Sequence, residues 1–362
     1  MRNAAITRPG RLPERSRQGW RIGAGAVTAG LLVLGGATAC SSAAAGANSS
    51  ASSPAASGTI SANQVSVSDV TLNIGDQAGS GAEALLTAAG LISKLPFKAH
   101  WSDFTSGPPM LQAMGSGSID VGDVGDAPPV FAAAGGSQIA VVSALQANPN
   151  GSAILVPKNS PIHTVAQLRG KSIAVAQGSS ADYHLLAILT KAGLTIKDVT
   201  PDYLQPAEGQ AAFASGHVAA WDVWSPFIEQ AESQDHARVL ANGAGIGQTY
   251  SFVVAAKAAL GDPAKAAAIH DYLQLLDQAY TWAQSHESDW ATTWAKATGL
   301  PVSAMTQAVK DSLATPEPIT PAVISSEQSV ANAFTAAGLI PSHVDFADYA
   351  VTTFNSILGG SS

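Results

Sequence analysis

The sequence predicts an α/β protein of two lobes, followed by a helical C-terminal third. Stretches typical of strands alternate with stretches typical of helices, and this order occurs twice along the chain. The 362 residues are enough for two cores, and 46% of them are hydrophobic while only 12% are charged. We therefore expect each lobe to hold a mostly parallel sheet flanked by helices.

The first 40 residues have the pattern of an export signal. Six arginines precede a run of small and apolar residues, and the only cysteine, Cys40, follows Ala37-Thr38-Ala39. A basic start, an apolar centre and small residues before the cleavage point are typical of a secretory signal peptide, although a membrane anchor is the alternative. We expect residues 1–40 to be a lipoprotein signal and Cys40 to be lipidated, which anchors the protein to the outer face of the cytoplasmic membrane.

A tether is predicted between this signal and the folded body. Residues 41–68 contain no charged residue and are mostly Ser, Ala, Gly and Asn. Such a composition is typical of a flexible linker. The folded body should therefore begin near Asp69.

The elements of the body follow in order. Predicted strands of the first half are 70–75, 97–101, 120–122 and 139–142, and predicted helices are 82–95, 108–116 and 130–134. In the second half the strands are 152–156, 172–175, 199–204 and 219–224, and the helices are 165–168, 181–192, 206–215 and 226–233. After a strand at 250–254 the chain is predicted to be helical, notably over 263–285 and 321–337.

Two of the segments that follow strands combine hydroxyls with a helix start. They are Ser106-Gly107-Pro108 and Gly178-Ser179-Ser180-Ala181, one in each half. Ligands of open α/β sheets bind beyond the carboxyl ends of the strands, and free N–H groups at a helix N-terminus bind anions. The sequence therefore predicts two anion-binding helix N-termini that face each other, although plain N-caps are the alternative.

Other side chains at strand ends are candidates for the wall of a pocket. Trp221 and Trp224 are three residues apart in a strand, so they face opposite sides, one in the core and one toward a ligand. Asp126 and Asp222 could receive a ligand ammonium or bond backbone amides in a turn.

Composition and motifs exclude several classes of function. Net charge is −8, and without the signal the body holds 12 basic and 25 acidic residues, so nucleic acid is not an expected partner. The eight histidines show no HExxH spacing, and no GxSxG motif, P-loop or dinucleotide fingerprint occurs. We expect no metal, no cofactor and no enzymatic activity.

Several motifs, in order along the chain, resemble the aliphatic sulfonate-binding proteins of ABC importers. The segments that carry the resemblance are 100–108, 117–120, 125–129, 153–158, 178–181 and 221–227. The resemblance implies a two-lobed periplasmic-binding-protein-like fold of type II, with one lobe over 69–154 plus 253–362 and the other over 155–252. It also implies ligand capture outside the membrane and delivery to a permease with its ATPase, by a protein that we expect to be a monomer.

The same resemblance implies which residues line the ligand cleft. They are Gln77, Ser106, Gly107, Asp126, Ala127, Ser179, Ser180, Ala181 and Trp224. Members often have Tyr-Gln-Lys where this chain has Asp76-Gln77-Ala78, so an amino-sulfonate becomes a candidate ligand. Taurine, nitrate, bicarbonate or a pyrimidine precursor are alternatives, and an enzyme on the same scaffold is a further one.

Overall fold

The computed structural model describes residues 66–77 and 81–359. The predicted signal with Cys40, and all but the last three residues of the predicted tether, lie outside the described residues. Among the described helices, none combines the length and the apolar character that crossing a membrane requires.

The described residues form eleven strands and eleven α-helices. The strands are β1 Thr71–Gln77, β2 Lys98–Phe104, β3 Val121–Val124, β4 Ile139–Gln146, β5 Ser152–Pro157, β6 Ser172–Val175, β7 Thr200–Tyr203, β8 Ala220–Trp224, β9 Ala237–Asn242, β10 Tyr250–Ala256 and β11 Thr315–Glu317. The helices are α1 Ala82–Ala88, α2 Gly107–Gly115, α3 Ala127–Ala134, α4 Ser180–Lys191, α5 Pro206–Ala214, α6 Phe227–Gln234, α7 Lys257–Gly261, α8 Pro263–Ser285, α9 Glu287–Thr298, α10 Val302–Ser312 and α11 Pro321–Ala337.

Two sheets confirm the predicted α/β fold with two lobes. The sheet of the first lobe has the strand order β11-β4-β10-β3-β1-β2, and the sheet of the second lobe has the order β7-β6-β8-β5-β9. The predicted helices 263–285 and 321–337 correspond to α8 and α11, so most of the chain after β10 is helical, as expected.

Both sheets are mixed rather than mostly parallel, which corrects the prediction. Four strand pairs are parallel and five are antiparallel. The antiparallel pairs involve β5 and β10, the strands that the chain enters when it passes from one sheet to the other, and the short edge strand β11. These strands are not joined to their neighbours by the helical crossover that a parallel pair requires.

The chain passes between the sheets twice, between Gln146 and Ser152 and between Asn242 and Tyr250. The predicted lobe boundaries, after residues 154 and 252, fall inside β5 and β10. A strand belongs to one sheet along its whole length, so the passages lie a few residues before the predicted boundaries.

Helix α11, which was assigned to the first lobe, packs against both lobes: Val323 is buried in the core of the first, and the residues after it lie in a cluster that also contains α3 of the first lobe. Val330, Ala331 and Phe334 are buried in one cluster with residues of β5, β6 and α4. The ring of Phe334 meets that of Phe131 on α3 edge-on, with ring centroids 4.8 Å apart. Helix α11 therefore holds α3 of the first lobe against α4 of the second.

Replacing Phe334 by alanine should destabilise the protein by about 3–5 kcal/mol, because a fully buried aromatic ring is lost and a cavity remains. Urea unfolding measures the change. Val302→Ala is the control, since its side chain is 49% exposed and should change stability by less than about 0.5 kcal/mol. Equal effects of the two substitutions would contradict the packing role of α11.

Candidate ligand-binding site

A cavity of about 220 Å³ lies between the two lobes. The first lobe contributes the ends of β1 and β3, and the second contributes the start of α4 and the end of β8. This is smaller than the roughly 300–1,000 Å³ of pockets that hold drug-sized ligands, so it suits a small solute. Within the described part of the chain, no lysine or arginine lines it.

Six of the nine predicted site residues line this cavity. They are Gln77, Gly107, Asp126, Ser179, Ser180 and Trp224. Ser106, Ala127 and Ala181 have no exposed surface and are not part of the wall, which corrects the prediction for these three residues. Ala127 and Ala181 follow directly on residues that do line the cavity, and their side chains pack in the core behind them.

Ser106 joins the two lobes instead of facing the cavity. Its Oγ donates to Oε1 of Gln205 at 2.8 Å, and Oγ1 of Thr105 donates to the same oxygen at 2.9 Å. Gln205 directly precedes α5 in the second lobe, so both hydrogen bonds cross between lobes. Ser106 therefore stabilises the arrangement in which the two lobes touch, and its hydroxyl proton is not available to a ligand.

Prolines remove most of the donors expected at the N-terminus of α2. Pro108 and Pro109 occupy its first turn, and proline has no backbone N–H. Within that turn the N–H of Gly107 is left as a donor at the cavity. The predicted pair of anion-binding helix N-termini is therefore reduced to one, at α4.

Helix α4 begins at the cavity with donors that the described residues leave unbonded. Ser179 is its N-cap, but Oγ of Ser179 donates to the carbonyl of Ala176 at 2.7 Å. The N–H of Gly178 is bound by the carboxylate of Asp182 at 2.9 Å. The N–H groups of the first two helical residues make no hydrogen bond within the described residues, so they remain available to an acceptor.

The lobes touch beside this helix start. A Cβ on Gly125, between β3 and α3, would overlap the hydroxyl of Ser180. A Cβ on Gly178 would lie 3.1 Å from the ring of Phe131, and Gly178 has a φ of +69° that L side chains rarely adopt. Glycine at both positions lets the lobes close on each other.

Asp76 and Asp126 are both buried carboxylates that cap helices of their own lobe. Asp76 accepts the N–H groups of Gln77, Ala82 and Glu83 at 2.9–3.1 Å, at the start of α1. Burial raises the pKa of Asp76 to about 6, and these hydrogen bonds limit the rise. Asp126 accepts the N–H that opens α3 at 2.8 Å, and burial raises its pKa to about 7.

Asp123, at the end of β3, also lines the cavity, and sequence reasoning did not include it. Its Oδ1 is buried without a hydrogen-bond partner among the described residues. Burial and the charge of Asp76 raise its pKa to about 7, while the hydroxyls of Tyr272 and Tyr280 lower it. The Gln77 side chain donates to the backbone carbonyl of Asp123 at 3.0 Å, so Gln77 positions this strand end.

His184 is a second cavity residue that sequence reasoning missed. It lies four residues after Ser180 on α4, so the two share a helix face, and this spacing was the available signal. Its Nδ1 is 2.9 Å from both carboxylate oxygens of Asp222. Burial lowers the pKa of His184, but the Asp222 carboxylate outweighs this effect and the pKa is raised. The Asp222 carboxylate therefore pairs with this imidazole and is not available to bind a ligand.

The two tryptophans of β8 have different surroundings, as their spacing predicts. Trp221 is 1% exposed and packs in the core, while Trp224 lines the cavity and meets Phe227 edge-on with ring centroids 5.9 Å apart.

In the described part of the chain, no group of three or more His, Cys, Asp or Glu side chains has the geometry of a metal site.

The ligand-free protein should be more stable at pH 5 than at pH 8. Burial raises the pKa values of Asp76 and Asp182 to about 6 and those of Asp123, Asp126 and Glu229 to about 7. The folded state then holds protons that the unfolded chain releases near pH 4, so stability declines as pH rises toward 7. Thermal unfolding at both pH values measures this, and a flat or rising profile would contradict the raised pKa values.

Comparison with known proteins gives consistent results. A family model described as an ABC transporter, phosphonate, periplasmic substrate-binding protein matches residues 93–299. A protein of Escherichia coli (strain K12) named for binding aliphatic sulfonates is 36% identical over 277 residues, which cover 76% of this chain and 86% of the relative.

Solved structures share the fold. The alkanesulfonate-binding protein SsuA from Xanthomonas axonopodis pv. citri, bound to MOPS, has a TM-score of 0.74 at 35% identity, over 78% of this chain and 99% of that one. The desulfurization enzyme DszB has a TM-score of 0.57 at 15% identity, over 79% of this chain and 97% of that one, which shows a common fold alone. The implied two-lobed periplasmic-binding-protein fold is confirmed, and this chain belongs to the substrate-binding protein family of ABC transporters that includes the aliphatic sulfonate-binding proteins.

Proposed function

We propose that this protein captures a small aliphatic sulfonate between its two lobes and delivers it to the permease of an ABC importer, which a cytoplasmic ATPase drives. The observation that carries the proposal is the N-terminus of α4, whose first N–H groups are unbonded among the described residues, at a cavity between the lobes. The relative from Escherichia coli is named for aliphatic sulfonates, and the SsuA structure holds MOPS, itself a sulfonate.

The sulfonate head binds through neutral donors. Ser180 offers its backbone N–H and a hydroxyl that it shares with the Asp126 carboxylate, and the helix adds about half a positive charge at this end. Hydrogen bonds to a charged group contribute about 1.5–3 kcal/mol each, so two of them with the helix end can hold an anion without a lysine or arginine.

Enclosure supplies the rest of the affinity. Micromolar binding needs about −8 kcal/mol. A ligand of about seven heavy atoms contributes at most about 1.5 kcal/mol per atom, so nearly all of its surface must be covered. Trp224, Tyr183 and Ile246 line the cavity in the second lobe and cover an aliphatic tail.

We propose a binding protein rather than an enzyme. His184, the one histidine among the described cavity residues, has Nδ1 engaged by Asp222, and the carbonyl of Asn242 also contributes to its raised pKa. Neither Ser179 nor Ser180 bonds this imidazole: Oγ of Ser179 donates to the carbonyl of Ala176, and Ser180 lies beside the Asp126 carboxylate, so the Ser–His pair of a nucleophilic enzyme is not formed at the start of α4.

We also propose an extracytoplasmic location, in keeping with the periplasmic relatives. The signal of residues 1–40 would direct export, and lipid on Cys40 would hold a monomeric protein near its permease by the tether of residues 41–68. Mass spectrometry of the membrane-extracted protein would detect the lipid on the N-terminal cysteine.

Replacing Ser180 by alanine should weaken propanesulfonate binding about tenfold, because a hydrogen bond to a charged head is lost. Isothermal titration calorimetry measures the affinity. Ser233→Ala is the matched control, since its exposed hydroxyl bonds only the carbonyl of Gln230.

A thermal-shift screen of alkanesulfonates, taurine, nitrate and bicarbonate accompanies this measurement. Stabilisation by nitrate or bicarbonate alone would overturn the sulfonate proposal. Unchanged affinity of Ser180→Ala would remove α4 as the anion site.

Replacing Gly125 by alanine should hinder lobe closure, since its Cβ would overlap the Ser180 hydroxyl. Sulfonate affinity should fall by about tenfold or more, as enclosure is lost. Small-angle scattering should show no compaction on adding ligand. Gly115→Ala is the control, because its Cβ would meet only Ser137 at an ordinary 3.6 Å. Normal compaction of the Gly125 variant would contradict the closure model.

A further inference from the structure

The cavity wall in the first lobe differs in character from the wall around α4. Tyr280 of α8 and Trp290 and Trp294 of α9 line it together with Asp76 and Asp123 at the ends of β1 and β3. This wall is acidic and aromatic, whereas the α4 end offers N–H and hydroxyl donors. A cavity with these two ends suits a ligand that carries both charges.

Of the two carboxylates in this wall, that of Asp76 already has hydrogen-bond donors from the protein that offset its negative charge. Three backbone N–H groups bond its oxygens at the start of α1, and a Cβ on Gly81 would overlap its carboxylate, so the side chain is held in place on all sides. The sequence difference at Asp76 made an amino-sulfonate a candidate ligand, but the oxygens of this carboxylate are already bonded to backbone N–H groups of the protein.

Asp123 is compensated less completely, because no backbone N–H of the described residues bonds its carboxylate and the hydroxyls of Tyr272 and Tyr280 only partly offset the effect of burial on its pKa. Its buried Oδ1 has no partner among the described residues, and the titratable groups that face it are Asp76 from β1 and Tyr272 and Tyr280 from α8. No lysine or arginine of the described cavity wall neutralises it. A carboxylate with one buried oxygen that lacks a partner in the described chain, and with a second carboxylate near it, is unfavourable, so a positively charged group beside Asp123 would be stabilising.

We propose that Asp123 binds the ammonium group of a zwitterionic aminosulfonate whose sulfonate lies at the N-terminus of α4. The ammonium donates N–H to the carboxylate of Asp123, which gives the carboxylate its counter-charge and the ligand a second anchor. This inference rests on the proposed function, because it needs the sulfonate end in place. Asp123 is then the residue that selects aminosulfonates over plain alkanesulfonates.

The aromatic side chains of the same cavity wall favour the same ligand class. Rings attract a cation through their negative faces, and the attraction strengthens where water is excluded. Tyr280, Trp290 and Trp294 therefore make this wall more favourable for an ammonium group than for a second anion.

The two ligand classes should respond to pH in opposite ways. In the free protein, burial and Asp76 raise the pKa of Asp123 to about 7. An ammonium group favours the ionised carboxylate, so aminosulfonate affinity should rise from pH 6 to pH 8 with release of a proton. A plain alkanesulfonate favours the protonated form, so its affinity should fall over the same range.

Calorimetry with taurine and ethanesulfonate, which differ in the amino group, tests the inference. Asp123→Asn should weaken taurine binding by tenfold or more at pH 8, since a charge-assisted hydrogen bond is lost. Ethanesulfonate affinity should stay the same or improve. Asp348→Asn, which removes an exposed carboxylate outside the cavity wall, should leave both affinities unchanged.

Proton release in the unmodified protein gives a second readout that does not depend on a variant folding. Taurine is titrated near pH 7 in two sulfonate-free buffers of different ionisation enthalpy. The expected result is release of up to one proton with taurine and uptake with ethanesulfonate.

The outcomes separate this inference from the proposed function. If ethanesulfonate and taurine bind equally, with parallel pH profiles and no loss in Asp123→Asn, the ammonium site is overturned while sulfonate capture stands. If no sulfonate binds, the proposed function fails. If Asp123→Asn loses both ligands, opposite pH profiles of the unmodified protein support the ammonium site and parallel profiles overturn it.

Discussion

Charge compensation inside the cavity is the constraint on which the rest of the site depends. Several carboxyls are buried there or beside it, and no lysine or arginine of the described wall offsets them. Each acid must therefore find backbone N–H groups, a histidine, a proton or a ligand. Asp76 and Asp126 accept hydrogen bonds at helix N-termini and Asp222 pairs with His184, whereas Oδ1 of Asp123 has no hydrogen-bond partner among the described residues.

Much of the fold could be predicted because local signals coincide with its elements. Helices α8 and α11 begin at prolines preceded by capping residues, Asp262 and Thr320, and the predicted bounds agree with the structure. Strand β9 was missed because it is mostly half-buried and has no continuous apolar run. The mixed direction of the sheets was also missed, because strand direction depends on how the chain crosses between lobes.

The site was predicted less completely than the fold for a physical reason. A motif shows which residues follow a strand, but not which atoms are already bonded. Ser106 matches the pattern of an anion site, yet Gln205 from the other lobe accepts its hydroxyl. Asp123 matches no pattern, because Asp76, Tyr272 and Tyr280, the side chains that raise and lower its pKa, come from distant parts of the chain.

The N-termini of four helices close to the cleft explain why α4 is selected for an external anion. The donors of α1 are taken by Asp76, and those of α3 by Asp126 and two prolines. Helix α2 has prolines in its first turn, so few donors exist there. Of these four helices in the described part of the chain, α4 keeps the N–H groups of its first two residues unbonded, and the opposite lobe contacts Ser180 at Gly125. The sulfonate of a ligand is therefore expected at the α4 end of the cavity. The acidic end, with Asp76 and Asp123, faces the part of the ligand that is not an anion.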